Sequence, residues 1–320
     1  MTLDFTLLTE EQRNGNKALE VMKKYGPKNA PTDLAVLQGA LMTNKESRTI
    51  DGDLTCYTWS SSFDSANNPR CVSADTGFAV FKKTQRNVGV RPVLPATETS
   101  KIQPSAQKTG ILGIQIVEYG EYPQINAPQD ISAELEKKFQ SQELKTTGKS
   151  YTFDSVALTR YDRDFYPTEP NKEYEYDGKK YIRINAQPAD ENSQLSSGEK
   201  VQEHQNYWIQ VTPIEWLVDE TGAWISKKAL FAGIQFDKDR SYSTYYIDGE
   251  FEKTSLKHYL DAYFSKEIEP SQAPQKSSEK EQKIQKEKNM TDILSEKTVD
   301  KTPQMKNQYS PQLFIKSKQK

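Results

Sequence analysis

Cysteine and histidine are both scarce in this sequence, with two of each among 320 residues. Two cysteines cannot build a disulfide-rich scaffold, and their spacing matches neither a Cys-x-x-Cys pair nor a zinc-ligand pattern. His204 lies in a polar stretch and His258 on the polar side of a predicted helix, so we expect both to be ordinary surface histidines. We therefore expect neither a metal ion nor another cofactor.

The familiar catalytic motifs are also missing. The sequence contains no Gly-x-Ser-x-Gly, no Walker loop, no dinucleotide fingerprint and no His-Glu-x-x-His. These absences remove the simplest support for a hydrolase, a nucleotide-binding enzyme or a metalloprotease.

Long apolar runs are lacking as well. No stretch of 18 apolar residues occurs, and the first residues have no basic segment followed by an apolar one. The mean hydropathy of −0.85 indicates that much of the chain is loop or tail. We predict a soluble chain without a membrane span, located in the cytoplasm, with export by a specialised, non-classical route as the alternative.

The net charge of the chain is only −2, because an acidic part and a basic part largely cancel. Residues 269–320 hold 11 lysines and 7 acidic residues, which leaves 32 basic and 38 acidic residues before them. The body is therefore mildly acidic and has no stripe of arginine and lysine. Because nucleic-acid binding needs clustered cations, this composition argues against nucleic acid as the main partner.

What the sequence does contain is a pattern of short β-rich runs set between helices. In residues 54–94, turn-forming residues separate short β-rich runs, which predicts an antiparallel meander of three or four short strands. Both cysteines lie in this segment. Thr9 to Gln12 forms a capping box that predicts a helix, and Thr32-Asp33 caps a second one. Helices and strands in separate blocks predict an α+β fold.

The second half repeats this combination of strands and helices. Residues 111–119 predict a strand, and Asp177-Gly178 predicts a type I′ turn between two more. Apolar residues at helical spacing predict a helix from Asp130 and another from about Ser255. We predict a helix pair with a lectin-like meander over 1–95, a linker over 96–110, a second α+β module over 111–268, and a disordered or partly helical tail over 269–320. The two modules can share one core.

Three short motifs carry a resemblance to a known family: Gly89-Val-Arg-Pro92, Tyr119-Gly-Glu-Tyr-Pro-Gln124 and Pro213-Ile-Glu-Trp216. Together they resemble a bacterial domain family of unknown function, which looks like a relative of C-type-lectin and formylglycine-enzyme folds. The resemblance implies an architecture and no ligand. Because formylglycine-generating enzymes use a cysteine pair, it also raises an oxidase-like activity of Cys56 and Cys71 as an alternative, although neither cysteine matches a catalytic motif of those enzymes.

We interpret the 54–94 meander as a non-enzymatic binding module for a protein or a glycan. Its loops mix aromatic, amide and cationic side chains, as recognition surfaces do. A structural role for the same residues is the competing interpretation, with Trp59 in the core, and a subunit of a bacterial assembly is a third. The oligomeric state stays open. The candidate binding residues are Trp59, Ser61, Ser62, Phe63, Asn67, Asn68, Arg70, Arg86 and Asn87.

The end of the chain contains a second candidate contact. Leu313, Phe314 and Ile315 form an apolar triplet flanked by lysines after a long polar stretch. Such a triplet can dock on a partner while the polar stretch sets its reach. A plain solubilising tail is the alternative.

Overall fold

Antiparallel strand pairing organises the structure, a computed structural model that describes residues 3–14, 17–43, 46–73, 77–153, 170–238 and 250–268. The tail triplet at 313–315 lies outside these residues. The strands are β1 (Thr58–Phe63), β2 (Pro69–Ser73), β3 (Gly77–Val80), β4 (Val93–Leu94), β5 (Ala106–Thr109), β6 (Gln115–Asn126), β7 (Lys145–Tyr151), β8 (Asn171–Tyr176), β9 (Lys179–Asn185), β10 (Asn206–Val218) and β11 (Trp224–Ser226). The helices are α1 (Glu10–Asn14), α2 (Glu20–Tyr25), α3 (Asp33–Leu37), α4 (Ala96–Thr99), α5 (Gln129–Gln140), α6 (Ser255–Tyr259) and α7 (Ser265–Glu267), and a π-helical turn (Leu260–Phe264) joins the last two.

The predicted meander is present as a three-stranded sheet in the order β1-β2-β3. Cys71 in the central strand lies opposite Trp59 on one side and Ala79 on the other. The end of the predicted segment behaves differently, because β4 pairs with β11 in the larger sheet. The strands of residues 54–94 are thus divided between two sheets.

The larger sheet is built around β10. This 13-residue strand pairs along one side with β6, and along the other with β9 and then β11. β8 and β7 continue the sheet beyond β9, and β5 pairs with the outer side of β6. Every pair of named strands is antiparallel, so the described residues have the α+β architecture predicted from the sequence.

Local turn and cap signals placed several elements correctly. Asp177 and Gly178 both have positive φ, 49° and 69°, as the predicted type I′ turn between β8 and β9 requires. At the start of α1 the Thr9 hydroxyl accepts from the Gln12 N–H at 3.2 Å, while the Gln12 side chain accepts from the Thr9 N–H at 2.9 Å. Thr32 likewise accepts from the Ala35 N–H at the start of α3. These cap hydrogen bonds fix where the short helices begin.

The structure differs from the prediction of a linker at 96–110 and a strand from residue 111. Residues 96–110 contain α4 and β5, and residues 111–113 form a 3₁₀ turn at the tip of the β5–β6 hairpin. Ile111 and Leu112 are exposed there, and Leu112 has a φ of 56°. The strand predicted from residue 111 therefore begins at Gln115, because Gly110 and Gly113 favour a turn between the two strands.

Apolar residues from both sides of the predicted linker share one core. The Phe5 ring packs edge-on against Phe264 at 5.0 Å between centroids and stacks on Trp216 at 6.1 Å. Val90 and Leu94 belong to the same buried cluster. Residues 1–270 form one compact unit in which the chain before residue 96 completes the core of the chain after residue 110.

We expect that cutting the chain within residues 96–110 leaves the two pieces associated. A specific protease site inserted between Ser100 and Lys101 tests this, with the cleaved protein followed by size-exclusion chromatography. Both pieces should elute together, since separation would expose Phe5 and Leu94 to water.

The same site inserted after Pro270 is the control, since a cut there leaves the unit of residues 1–270 unbroken. Two separately eluting, folded fragments from the cut at Ser100 would show instead that the segments fold independently.

Among the described residues, no helix has both the length and the apolarity needed to cross a lipid bilayer.

Candidate functional site

The serines of β1 bind the N-terminal segment of the chain. The Ser61 hydroxyl donates to the Leu7 carbonyl at 2.9 Å, and the Ser62 hydroxyl accepts from the Glu10 N–H at 2.8 Å. These hydroxyls are used within the molecule, so they hold residues 7–10 against β1.

Asn68 and Arg70 of loop 61–70 also have internal partners. Asn68 donates its backbone and side-chain N–H groups to the Asp64 carboxylate at 2.9 and 2.8 Å, and Asn67 has a φ of 57° at the turn. Arg70 forms an ion pair with Glu10. Together these bonds give the loop a fixed shape, and they are structural roles whether or not a partner binds there.

Trp59 lies in the core. Its side chain has no exposed surface, and its ring packs edge-on against Phe236 at 5.0 Å. Phe63 is half-buried and meets the same Phe236 ring at 5.9 Å. Trp59 therefore belongs to the aromatic core and is not part of the surface that the sequence suggested.

Arg86 and Asn87 lie away from this loop along the chain. Arg86 lines a cavity of about 220 Å³ together with Gln38, Phe153 and Gly233. The Asn87 carbonyl accepts from the Leu41 N–H at 2.8 Å. Of the nine candidate residues, Arg86 is the one among the described residues that lines this cavity.

Cys56 and Cys71 are buried free thiols. Burial raises the pKa of Cys56 to about 12, although the nearby Arg13 and Arg91 act to lower it. Burial also raises the pKa of Cys71 well above its usual value. Because the thiolate is the reactive form, this burial disfavours nucleophilic chemistry of either thiol at neutral pH.

An extended concave surface lies between two hairpin loops, 48–54 and 194–200. Each loop is closed by a β-bridge, between Arg48 and Leu54 and between Gln194 and Lys200. Between them lies a cavity of about 400 Å³, which shares lining residues with a cavity of about 590 Å³ on one side and about 340 Å³ on the other. We call these three adjoining cavities the interloop groove.

Asp33 holds the middle of the interloop groove together. Its carboxylate accepts three hydrogen bonds, from the Ser196 N–H at 2.7 Å, the Ser196 hydroxyl at 2.9 Å and the Asn126 N–H at 2.8 Å. The side chain is buried, with 3% exposed. One carboxylate thereby joins α3, the end of β6 and the 194–200 loop.

Paired charges line the groove on either side of Asp33. Lys228 contacts Asp53 at 2.9 Å, and Lys227 contacts Glu215 at 3.2 Å. Partial burial opposes ionisation of Glu215, yet the hydrogen bond from Lys108 and the charge of Lys227 give it a net lowered pKa. Lys227 and Glu215 therefore both carry charge at neutral pH. The groove can thus bind hydrogen-bond donors as well as acceptors of a ligand.

The side chains that line the groove are mostly polar. Amide, hydroxyl and charged side chains predominate among the described residues that line it, and these residues include no histidine, cysteine or aromatic side chain. In the described part of the chain, no group of three or more His, Cys, Asp and Glu side chains is placed to hold a metal ion.

Comparison with protein-family models, with curated proteins and with solved structures found no match. The resemblance to lectin-like and formylglycine-enzyme folds therefore stays a prediction.

Sequence reasoning missed the groove because its parts are far apart in the chain. Asp33 and Ser196 are 163 residues apart, and Asp33 was interpreted only as part of a helix cap. The local signal present was the turn-forming Ser196-Ser-Gly198, which indicates a tight loop and gives no indication of what it faces.

Proposed function

We propose that this chain is a recognition module that binds an extended segment of a partner protein in the interloop groove. The observation that carries the proposal is the continuity of the three cavities, which share Asp33 and Ser196 on one side and Arg48 and Gln194 on the other. An extended segment exposes backbone donors and acceptors at about 3.3 Å per residue. A channel lined by amides, hydroxyls and paired charges suits such a ligand.

The chemistry of the lining favours a peptide over a glycan. A sugar ring commonly packs its apolar face on an aromatic side chain, and the described residues that line the groove provide none. A peptide needs no such platform, because its backbone is satisfied by hydrogen bonds such as Gln194 and Ser197 can make. The groove begins at Asp53 and Leu54, so it adjoins the start of the meander that the sequence suggested as a binding module.

Blocking the groove should abolish peptide binding. Ser197 is exposed and lines the central cavity, so Ser197→Arg places a long cation inside it. Peptides selected from a random library on the immobilised wild-type protein should bind this variant at least tenfold more weakly, a loss of about 1.4 kcal/mol.

Ala66→Arg is the matched control, since it adds the same side chain at an exposed position of loop 61–70. Peptide affinity should be unchanged in this variant. A loss of affinity in Ala66→Arg with none in Ser197→Arg would move the site to loop 61–70. Failure to select any peptide, together with specific retention on a glycan array, would contradict a protein ligand.

A further inference from the structure

Two arginines are buried side by side beneath the first sheet. Arg13 on α1 is 2% exposed, and Arg91, which precedes β4, is 1% exposed. Burial and the neighbouring charge of Arg91 lower the pKa of Arg13 to about 9, and burial lowers the pKa of Arg91 to about 10. Both guanidinium groups therefore still carry their positive charges at neutral pH.

Neutral side chains connect the two cations. Arg13 Nη1 and Asn29 Nδ2 both donate to the Thr58 hydroxyl, each at 2.9 Å. The side-chain oxygen of Asn29 in turn accepts from Arg91 Nη1, and Arg91 Nε donates to the Ser226 carbonyl at 2.5 Å. The two guanidinium groups thus belong to one polar cluster that spans α1, β1 and β11.

The described part of this cluster contains no negative charge to balance them. Among the described residues, no carboxylate lies within 4.0 Å of either guanidinium, and the Tyr25 ring, with its centroid 6.0 Å from Arg91 Cζ, offers only a π face. Arg13 Nε and Arg91 Nη2 are fully buried donors without a partner. Burying a charge without a counter-charge destabilises the fold, and an unpaired buried N–H adds to that destabilisation.

We propose that Arg13 and Arg91 together bind a small monovalent anion of the chloride type through these two unpartnered N–H groups. Cys56 is the ionisable group that influences both arginines, and its thiol stays protonated at neutral pH, so it does not supply the missing charge. A compact anion suits a cluster of buried side chains better than the larger phosphate or carboxylate groups do. The role of this anion is to stabilise the fold, and it is independent of ligand binding in the interloop groove.

Thermal unfolding in different sodium salts tests the proposal. The full chain, dialysed free of halide, is titrated with sodium chloride, sodium bromide or sodium gluconate at constant ionic strength. An anion that binds only the folded state raises Tm as its concentration passes the dissociation constant. We expect chloride and bromide to raise Tm by about 2 to 4 °C or more relative to gluconate.

A pair of variants separates binding from general salt effects, which act on all proteins. Arg13→Gln keeps an amide to donate to Thr58 and removes one charge, so it should lose the halide-specific rise. Arg183→Gln removes a partly exposed arginine that pairs with Glu136, and it should retain the full rise. An equal halide effect in both variants, or none in the wild type, overturns the proposal.

Diffraction from crystals grown in bromide gives a second measurement that does not depend on a variant folding. An anomalous peak within hydrogen-bond distance of Arg13 Nε and Arg91 Nη2 is the expected result. Water density without anomalous signal at that position would show that the donors are hydrated and that no anion binds.

Discussion

Replacing Asp33 by alanine is expected to destabilise the folded chain by about 3 to 6 kcal/mol. The carboxylate accepts three hydrogen bonds in a buried position, and its removal leaves the Ser196 and Asn126 N–H groups without a partner. Each hydrogen bond to a charged group contributes about 1.5 to 3 kcal/mol, and the losses partly overlap because two of the bonds come from one residue. Urea unfolding followed by tryptophan fluorescence measures the change.

Two further variants test whether the loss of unfolding free energy comes from the hydrogen bonds of the Asp33 carboxylate. Asp33→Asn keeps one acceptor oxygen in place and should lose about half as much. Asp130→Ala removes an exposed aspartate from the first turn of α5 and should change the free energy of unfolding by less than about 1 kcal/mol. If Asp33→Ala matched Asp130→Ala, the 194–200 loop would be held by other contacts and the shape of the groove would not depend on Asp33.

Glu267 should make the chain less stable as the pH rises. Burial raises its pKa from 4.5 to about 8, although the Thr152 N–H donates to its carboxylate at 2.6 Å and Lys149 lies nearby. In the unfolded chain the carboxyl ionises near its ordinary pKa, while in the folded chain it keeps its proton until about pH 8. The stabilising contribution is complete below about pH 4.5 and is lost progressively as the pH rises to about 8, a change on the order of 4 kcal/mol.

Glu267→Gln isolates this contribution, because the amide keeps the shape of the protonated acid and cannot ionise. The unfolding free energies of the two proteins should be similar near pH 4.5, and the variant should become the more stable one as the pH approaches 8. Glu191→Gln, at an exposed position, should follow the wild type throughout. Parallel curves for wild type and Glu267→Gln would mean that water reaches the carboxylate and that it ionises normally.

Features set by near neighbours in the chain were predictable from the sequence. The capping box of Thr9 and Gln12 needs residues three apart, and the Asp177-Gly178 turn needs only two residues and their flanking alternation. Both are present with the expected bonds and dihedral angles. The α+β class follows from the same local signals, because each element was identified separately.

Features set by distant pairing were not predictable in the same way. β4 pairs with Trp224 and Ile225 and does not continue the meander. Its local sequence is a short apolar strand, which is compatible with either pairing. The apolar Ile111-Leu112 was assigned to a strand, although the flanking glycines were the signal for a turn. Trp59 followed by serines resembles an exposed recognition loop, but the N-terminal segment and Phe236 cover it.

Translation imposes a delay on this fold, because Phe264 leaves the ribosome 259 residues after Phe5, the ring against which it packs. At about 5 to 20 residues per second, that interval is roughly 13 to 52 s. During this time Leu3, Phe5 and Leu7 have no completed core to enter, so they present an apolar N-terminal segment to chaperones. A nascent chain that ends before Phe264 therefore exposes apolar side chains that the finished chain buries.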